Sequence, residues 1–539
     1  MDVSRAVSES IKIWLAGGGV ALIVLWRALP RRVAISVLLT LTLFGAINYA
    51  QWGSREIVKK IESYDLLHYY ICAKYFDELG YYDLYPALIL ADSEHPDGRY
   101  SDALRRYRAQ SEKQGYLGRK SIPEAIERGT QVRETRFSSE RWQQFTEDFY
   151  HLQRDFNMSP DYWRRMMDDR GFNGTPVWLL IARPIASAIP VTYIKALCYL
   201  DVLWLLIALL VIRWAYDDWV PVLWCLLFSS VTYSLRWPMP GQVFLRFDWV
   251  AMMLICMGLL KKGKPLLAGM FAGVPGLLRI FPAIWMLGPA LKGLFQLAWP
   301  PATTDTGLPG GRSRSRIRIN RSLLWMAGGF VAAIIVFEGV AWFALGADTI
   351  ETHATNIRDH IKPKELSSRR IGFAIGYTYD GELTPTHITE EQKQAVVDTK
   401  GPRTVVALVL LLGLGIGARR MRNDEVYALG FVPFFLLATF SYYYAIARLT
   451  LIVLHAHDMS RWRNRVGLGL LFAIELFSNY AQTVHRGHRV YLVGHLSWGL
   501  TAYAVLMISW LVLEQLRALK AEQRLARKPA KKLREAPTA

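Results

Sequence analysis

Apolar runs of about 15 to 24 residues recur along the whole chain, each ended by a turn and a few charges, and only a bilayer accommodates so many of them. Such runs must be helices, because a helix satisfies its backbone groups internally where no water can. A hydrophobic content of 52% and 19 Trp agree with this, so the domain count that 539 residues would suggest for a soluble chain does not apply. The formal net charge of +19 would suit nucleic acid, yet the cations stand in short clusters between apolar runs, where the positive-inside rule puts them. No nucleic-acid partner is expected. Cys198, Cys225 and Cys256 fall in apolar runs and Cys72 stands alone, which gives neither a disulfide framework nor a metal-ligand spacing.

The basic clusters set the topology. The run from Ile11 to Trp26 is short and followed by Arg27, Arg31 and Arg32, so it reads as a short span or an interfacial helix rather than a cleaved signal. Those arginines make the N-terminal side of the first secure span, 33–50, cytoplasmic. Lys261, Lys262 and Lys264, then Arg312 to Arg321, then Arg419, Arg420 and Arg422, then Arg461, Arg463 and Arg465, and the tail from Arg517 should share that side. They do so if further spans lie at 192–214, 219–235, 247–260, 265–277, 280–294, 323–346, 403–417, 425–441, 443–457, 466–482 and 496–514. Pro176 to Ile189 must then dip into the outer leaflet without crossing.

The expectation is an all-α polytopic membrane protein of about 12 to 13 transmembrane helices with a large helical first external loop. Its divisions are a short N-terminal membrane segment at 1–32, the span at 33–50, the first external loop at 51–191 and a transmembrane module with paired short helices at 192–346. A second external loop at 347–402, C-terminal helices at 403–514 and a basic cytoplasmic tail at 515–539 complete it. In the first loop Asp102 to Gln114 and Ser138 to Asp155 read as helices.

Ser63 to Pro86, SYDLLHYYICAKYFDELGYYDLYP, is too polar to span and reads as a helix on the outer face. Its Asp65 is either a general base or the N-cap of that helix. Arg279, between two short runs, either recognises phosphate bidentately or snorkels to headgroups. Arg246, Arg236 and Lys195 carry the same two readings nearer the surface. His360 in NIRDHIKPK offers a donor to a leaving phosphate, although a lone loop histidine more often has no role. Asp201 and Glu338 are intramembrane acids that either relay protons in a secondary transporter or pair with neighbouring Arg, Tyr or Trp. Tyr69, Tyr70, Tyr81 and Tyr82 suit sugar stacking or interfacial anchoring, with anchoring preferred. Asn173, Gly174 and Thr175 have the form of a glycosylation sequon, and His455 and His457 lack a third metal ligand.

Several of these pieces occur in an order that resembles the GT-C superfamily of membrane glycosyltransferases, and within it glycosyltransferase family 87. They are Asp65 with Tyr69, Tyr70, Ala73, Gly80 and Tyr85; Pro176 to Pro190; Gly241 and Gln242; Ala268, Gly269, Ala272 and Gly273 leading to Arg279 and Pro282; and His360 with Ile371 and Gly372. The resemblance covers most of the chain from 33 to about 455. Arg279 stands where the family has a lysine, only Pro176 remains of a proline pair, and the first loop is longer than in simple members. The resemblance implies inverting transfer of a sugar, mannose in that family, from a polyprenyl-phosphate donor to a lipid, glycan or protein acceptor. It implies the external face of a bacterial inner membrane, membrane lipids as surroundings, and no cofactor. By it Asp65 is the base, and Arg279, Arg246 and His360 hold the polyprenyl phosphate; Gln242, Lys195 and Arg236 are the further substrate-binding candidates.

Overall fold

A computed structural model describes residues 5–50, 52, 61–95, 106–111, 115–155, 158–169, 171–232, 239–299, 320–360, 369–382, 388–485 and 488–534. The elements are overwhelmingly helical, as the apolar runs require. Among the described residues six helices are long and apolar enough to cross a membrane: Ala6–Leu25, Arg31–Tyr49, Val191–Ala215, Arg321–Leu345, Lys400–Ala418 and Arg489–Glu522. The molecule is therefore a helical membrane protein.

The other expected spans take shorter or broken forms. Trp219–Ser230 and Pro265–Arg279 are apolar but short, and Asp248–Lys261 has 14 residues. The run at 280–294 divides into a 3-10 turn, Phe281–Met286, and the helix Leu287–Ala298. The run at 425–441 becomes Asn423–Ala428 and Phe431–Leu437, and 443–457 becomes the 3-10 segment Tyr442–Leu449 followed by Thr450–Ala456. Trp462–Val484 is 23 residues long but opens near Arg463 and Arg465 and carries Glu475. Pro176–Ala188, 13 residues and so roughly 20 Å long, is as short as Trp219–Ser230 and Asp248–Lys261.

The run at 11–26 forms the helix Arg5–Leu25. It lies close against Trp462–Val484: a Cβ on Gly19 would fall 2.3 Å from the Phe472 ring. Glycines serve another crossing in the same way. A Cβ on Gly269 would meet the Met326 carbonyl at 2.0 Å, and one on Gly329 would meet the Leu266 carbonyl at 2.0 Å, so Pro265–Arg279 and Arg321–Leu345 touch backbone to backbone.

Basic clusters far apart in sequence meet at one end of the bundle. Arg27 donates to the Ser460 carbonyl at 2.9 Å, Arg31 lies over the Trp219 ring, and the Trp219 indole donates to the Ala456 carbonyl at 3.0 Å. Lys261 lies over Tyr216, whose hydroxyl donates to Asp424 at 2.6 Å. At the other end the Tyr49 hydroxyl donates to the Pro240 carbonyl at 3.0 Å, beside the region formed by residues 61–191.

That region corrects three expectations. Within Asp102 to Gln114 the described residues, 106–111, are not helical but form β1 (Arg106–Ser111), which pairs antiparallel with β2 (Gly115–Ser121), Arg106 opposite Ser121; the rest of that stretch lies outside the described residues. Arg106 faces out while Tyr107 is buried, the alternation of a strand. Ser139–Asp155 is helical as read. Ser63 to Pro86 is neither one helix nor a surface element. It consists of Ser63–Leu66, a π-turn at Leu67–Ile71, Cys72–Lys74 and Phe76–Leu79, followed by the start of Leu84–Glu94. Leu66, Leu67, Tyr70, Ile71, Cys72, Ala73 and Tyr75 are all fully buried, so most of the segment is interior and belongs to the core of its own cluster. Tyr69, Tyr70 and Tyr81 are buried in it, which removes their role as interfacial anchors.

Candidate functional site

Asp65 sits inside the turn Ser63–Leu66, whose N-cap position belongs to Glu62, so the capping role falls away. The wide π-turn that follows brings Asp65, His68 and Tyr69 to one cavity of about 680 Å³. Asp65 is only 5% exposed. Its Oδ1 lies 3.1 Å from Nε of Arg246, while its Oδ2 is buried and has no hydrogen-bond partner among the described residues. Burial pushes the Asp65 carboxyl above the ordinary aspartate value, and the charges of Arg246 and Arg279 pull it back.

Arg246 is held from behind. Asp201, fully buried, accepts the backbone N–H groups of Arg246 and Phe247 at 2.9 Å each, which ties down the turn that carries the guanidinium. Both oxygens of this intramembrane acid are thus engaged by backbone. The guanidinium stacks on the Tyr69 ring, 4.2 Å from its centroid, and Arg279 stacks on the same ring at 5.3 Å. Tyr69 in turn donates to Oδ1 of Asn173 at 2.6 Å, so the sequon-like triplet is spent on structure, with Thr175 capping Pro176–Ala188.

The backbone beside both arginines is strained. Of the three non-glycine residues with positive φ among those described, Leu245 (φ 50°) precedes Arg246 and Ile280 (φ 62°) follows Arg279. The Leu245 carbonyl accepts from Arg279 Nη2 at 2.9 Å and from the Trp178 indole at 3.0 Å. These bonds hold the strained turn in place.

His68 completes the wall. Its Nδ1 donates to the Tyr64 carbonyl at 2.7 Å, and its Nε2 lies within hydrogen-bond distance of the Tyr85 hydroxyl at 2.8 Å. That hydroxyl accepts from the Gly171 N–H at 3.0 Å. The remaining walls bring Arg165, Arg369, Arg370, Tyr443 and Arg489. Arg369 and Arg370 are set by the pairing of β3 (Arg370–Ile371) with β4 (Phe440–Ser441) and by the Tyr442 N–H on the Arg369 carbonyl at 2.8 Å. Only glycine fits next to that pair, since a Cβ on Gly372 (φ 154°) would meet the Ala438 carbonyl at 2.5 Å.

Of the residues singled out in the sequence, Asp65, Tyr69, Asn173 and Arg246 line the cavity. Arg279 does not; it borders a small adjoining hollow together with Arg246, Tyr443 and Tyr444. Gln242 is buried and contributes its backbone carbonyl to the Glu62 N–H at 3.0 Å, outside the cavity lining. Lys195 is exposed on the short helix Ile194–Leu197 and is likewise absent from the lining. Arg236 and the side chain of His360 lie outside the described residues. Arg165, His68 and Arg489 went unnoticed in the sequence. His68 is three residues from Asp65 and faces the same way; Arg165 and Arg489 carry no local signal, being surface-type arginines that only folding brings together.

No family model, curated protein or solved structure matches the chain.

Proposed function

We propose that this protein is a membrane glycosyltransferase of GT-C-like fold with about twelve spans, moving a sugar, mannose by the family it resembles, from a polyprenyl phosphate to an acceptor hydroxyl with inversion. The reading places the cavity at the external face of a bacterial inner membrane, opposite the basic end. The observation that supports it is Asp65, with one oxygen on Arg246, the other unbonded beside the cavity, and two guanidiniums on one tyrosine ring.

In this reading Oδ2 of Asp65 takes the proton of the acceptor hydroxyl as its oxygen bonds to the anomeric carbon. The bond from that carbon to the phosphate oxygen breaks, and its electron pair leaves with the polyprenyl phosphate. Arg246 and Arg279 offset the charge that appears there. Burial makes Asp65 a stronger proton acceptor than a solvated aspartate. The transporter alternative has less behind it, because Asp201 is bonded to backbone through both oxygens.

Detergent-purified protein supplied with synthetic polyprenyl-phosphate mannose and a mannoside acceptor tests the reading. Asp65→Asn should fold normally and lose at least about 100-fold in kcat, the lower range for general-base catalysis. Transfer by the variant at the wild-type rate would remove the base. Absence of transfer with several donor sugars would favour the transporter.

A further inference from the structure

The loop that leads into the helix Pro176–Ala188 presents one side chain to the cavity and buries the rest. Gly171, Phe172, Gly174 and Thr175 are buried, whereas Asn173 is half-buried and lines the cavity together with Asp65 and Tyr69. Its neighbours are fixed by the segment that carries Asp65. On one side the Gly171 N–H donates to the Tyr85 hydroxyl at 3.0 Å, and on the other the Tyr81 hydroxyl donates to the Gly174 carbonyl at 2.9 Å. Between them the Phe172 ring stacks on Tyr81, centroids 5.4 Å apart, and meets the Tyr69 ring edge-on at 5.8 Å. A Cβ on Gly174 would lie 2.5 Å from the Phe172 ring, so the loop is closely packed here. Asn173 is thus set in place before any ligand arrives.

The side chain itself is only half used. The Tyr69 hydroxyl lies 2.6 Å from Oδ1, a separation that suits O–H···O and is short for N–H···O, so the amide oxygen faces the tyrosine. Nδ2 therefore points the other way. It has no partner among the described residues and is not closed off by protein, which leaves its N–H donors open. Tyr69 joins this amide to the charged groups. Arg246 and Arg279 lie against its ring, 4.2 and 5.3 Å from the centroid, while Asn173 holds its hydroxyl, and Arg246 reaches Oδ1 of Asp65 at 3.1 Å.

We infer that Asn173 reads the donor sugar, its Nδ2 donating to one hydroxyl of a sugar whose phosphate is met by Arg246 and Arg279. Such a sugar is joined directly to the phosphate, so its hydroxyls reach toward the far end of Tyr69, where the amide is held. A fixed polar group of this kind rejects a ligand that lacks the matching hydroxyl, because the group is then left unpaired. The word donor rests on the transferase reading; recognition of a sugar hydroxyl by Asn173 does not.

The test uses full-length protein in phosphatidylcholine nanodiscs, with polyprenyl-phosphate mannose or a set of deoxy forms that each lack one hydroxyl as donor, and an alkyl mannoside or its deoxy forms as acceptor. In wild type one deoxy donor should lose at least about tenfold in kcat/KM, the worth of one hydrogen bond. Asn173→Asp keeps an oxygen for Tyr69 and removes the donors, so it should lose that factor on the parent donor and nothing on that deoxy form. Asn173→Ser repeats the comparison without a new charge near Arg246. Thermal midpoints are read in parallel with each donor and no acceptor. A rise that depends on one hydroxyl in wild type and on none in the variants supports the inference even where no sugar moves, in which case only the transferase reading falls. Transfer with the same ranking of deoxy donors in wild type and both variants overturns the inference and leaves the transferase reading standing. Selectivity that the variants change for the acceptor's hydroxyls and not the donor's overturns it, and so does the absence of any hydroxyl dependence in both rate and midpoint.

Discussion

Asp65 meets Arg246 through one oxygen only, and the state of its other oxygen makes both rate and stability depend on pH. The base must be ionised to work, and burial raises its pKa, so the acid limb of kcat/KM should lie above the ordinary aspartate value of about 3.9. Stability runs the other way. A folded-state pKa above the unfolded one means the fold holds this proton more tightly, so its contribution is full below the ordinary pKa and lost as pH rises through the folded value. Thermal midpoints of wild type and Asp65→Asn across that range check the sign: the variant should lack this component, and identical profiles would show that Asp65 does not titrate as described. Tyr69 separates ring from hydroxyl. Tyr69→Phe keeps the surface on which Arg246 and Arg279 stack and loses one hydrogen bond, a change of about 1 kcal/mol. Tyr69→Leu removes the stack as well and should raise KM for the donor several-fold more than Tyr69→Phe does; equal effects would deny the stacking a role. Asp65 and Arg246 were legible in the sequence because each is an isolated charge next to an apolar run. Arg165 and Arg489 were not, because their meaning lies in where the chain returns after hundreds of residues.

Among the elements, helices that pack through glycine leave the least room for change. Gly329→Val should destabilise by at least about 2 kcal/mol, since its side chain would enter the backbone of Pro265–Arg279, the helix that presents Arg279. Gly339, with open space around it on the same helix, is the control: Gly339→Ala should leave stability unchanged or raise it by up to about 1 kcal/mol. Similar thermal midpoints for the two variants would contradict the close crossing. Long apolar runs such as 33–50 and 323–346 could be read directly as helices, and the structure places them within a residue or two. Runs at 280–294 and 425–441 could not be read as broken, although Pro282 and Pro433 stand in them, because hydropathy sums over a window and is insensitive to one missing N–H. The Ser63 to Pro86 segment was misjudged for a related reason. Its tyrosines count as polar in sequence, yet their hydroxyls find Asn173, Ile189, Asp148 and Gly174 once folded.

At the scale of the whole molecule, the meeting of the segments that carry Arg27, Arg31 and Lys261 at one end and the cavity at the other gives a single orientation to test. Lys262→Cys should resist membrane-impermeant thiol reagents applied to the outside of intact cells, whereas Glu351→Cys, exposed at the cavity end, should react. External labelling of Lys262→Cys would invert the orientation and with it the proposed side of the chemistry.

The cavity is lined by residues from Glu62 to Val493, and that span has a consequence in time. Translation at about 5–20 residues per second puts on the order of a minute between the emergence of Asp65 and that of the last wall. For that interval Arg165, Arg246, Arg369 and Arg489 arrive one segment after another, and Asp65 waits for them. Residues that will share one cavity thus spend their first moments apart, and a ribosome arrested before the final helix would leave an inserted protein whose cavity lacks the wall made by Arg489, Leu492 and Val493.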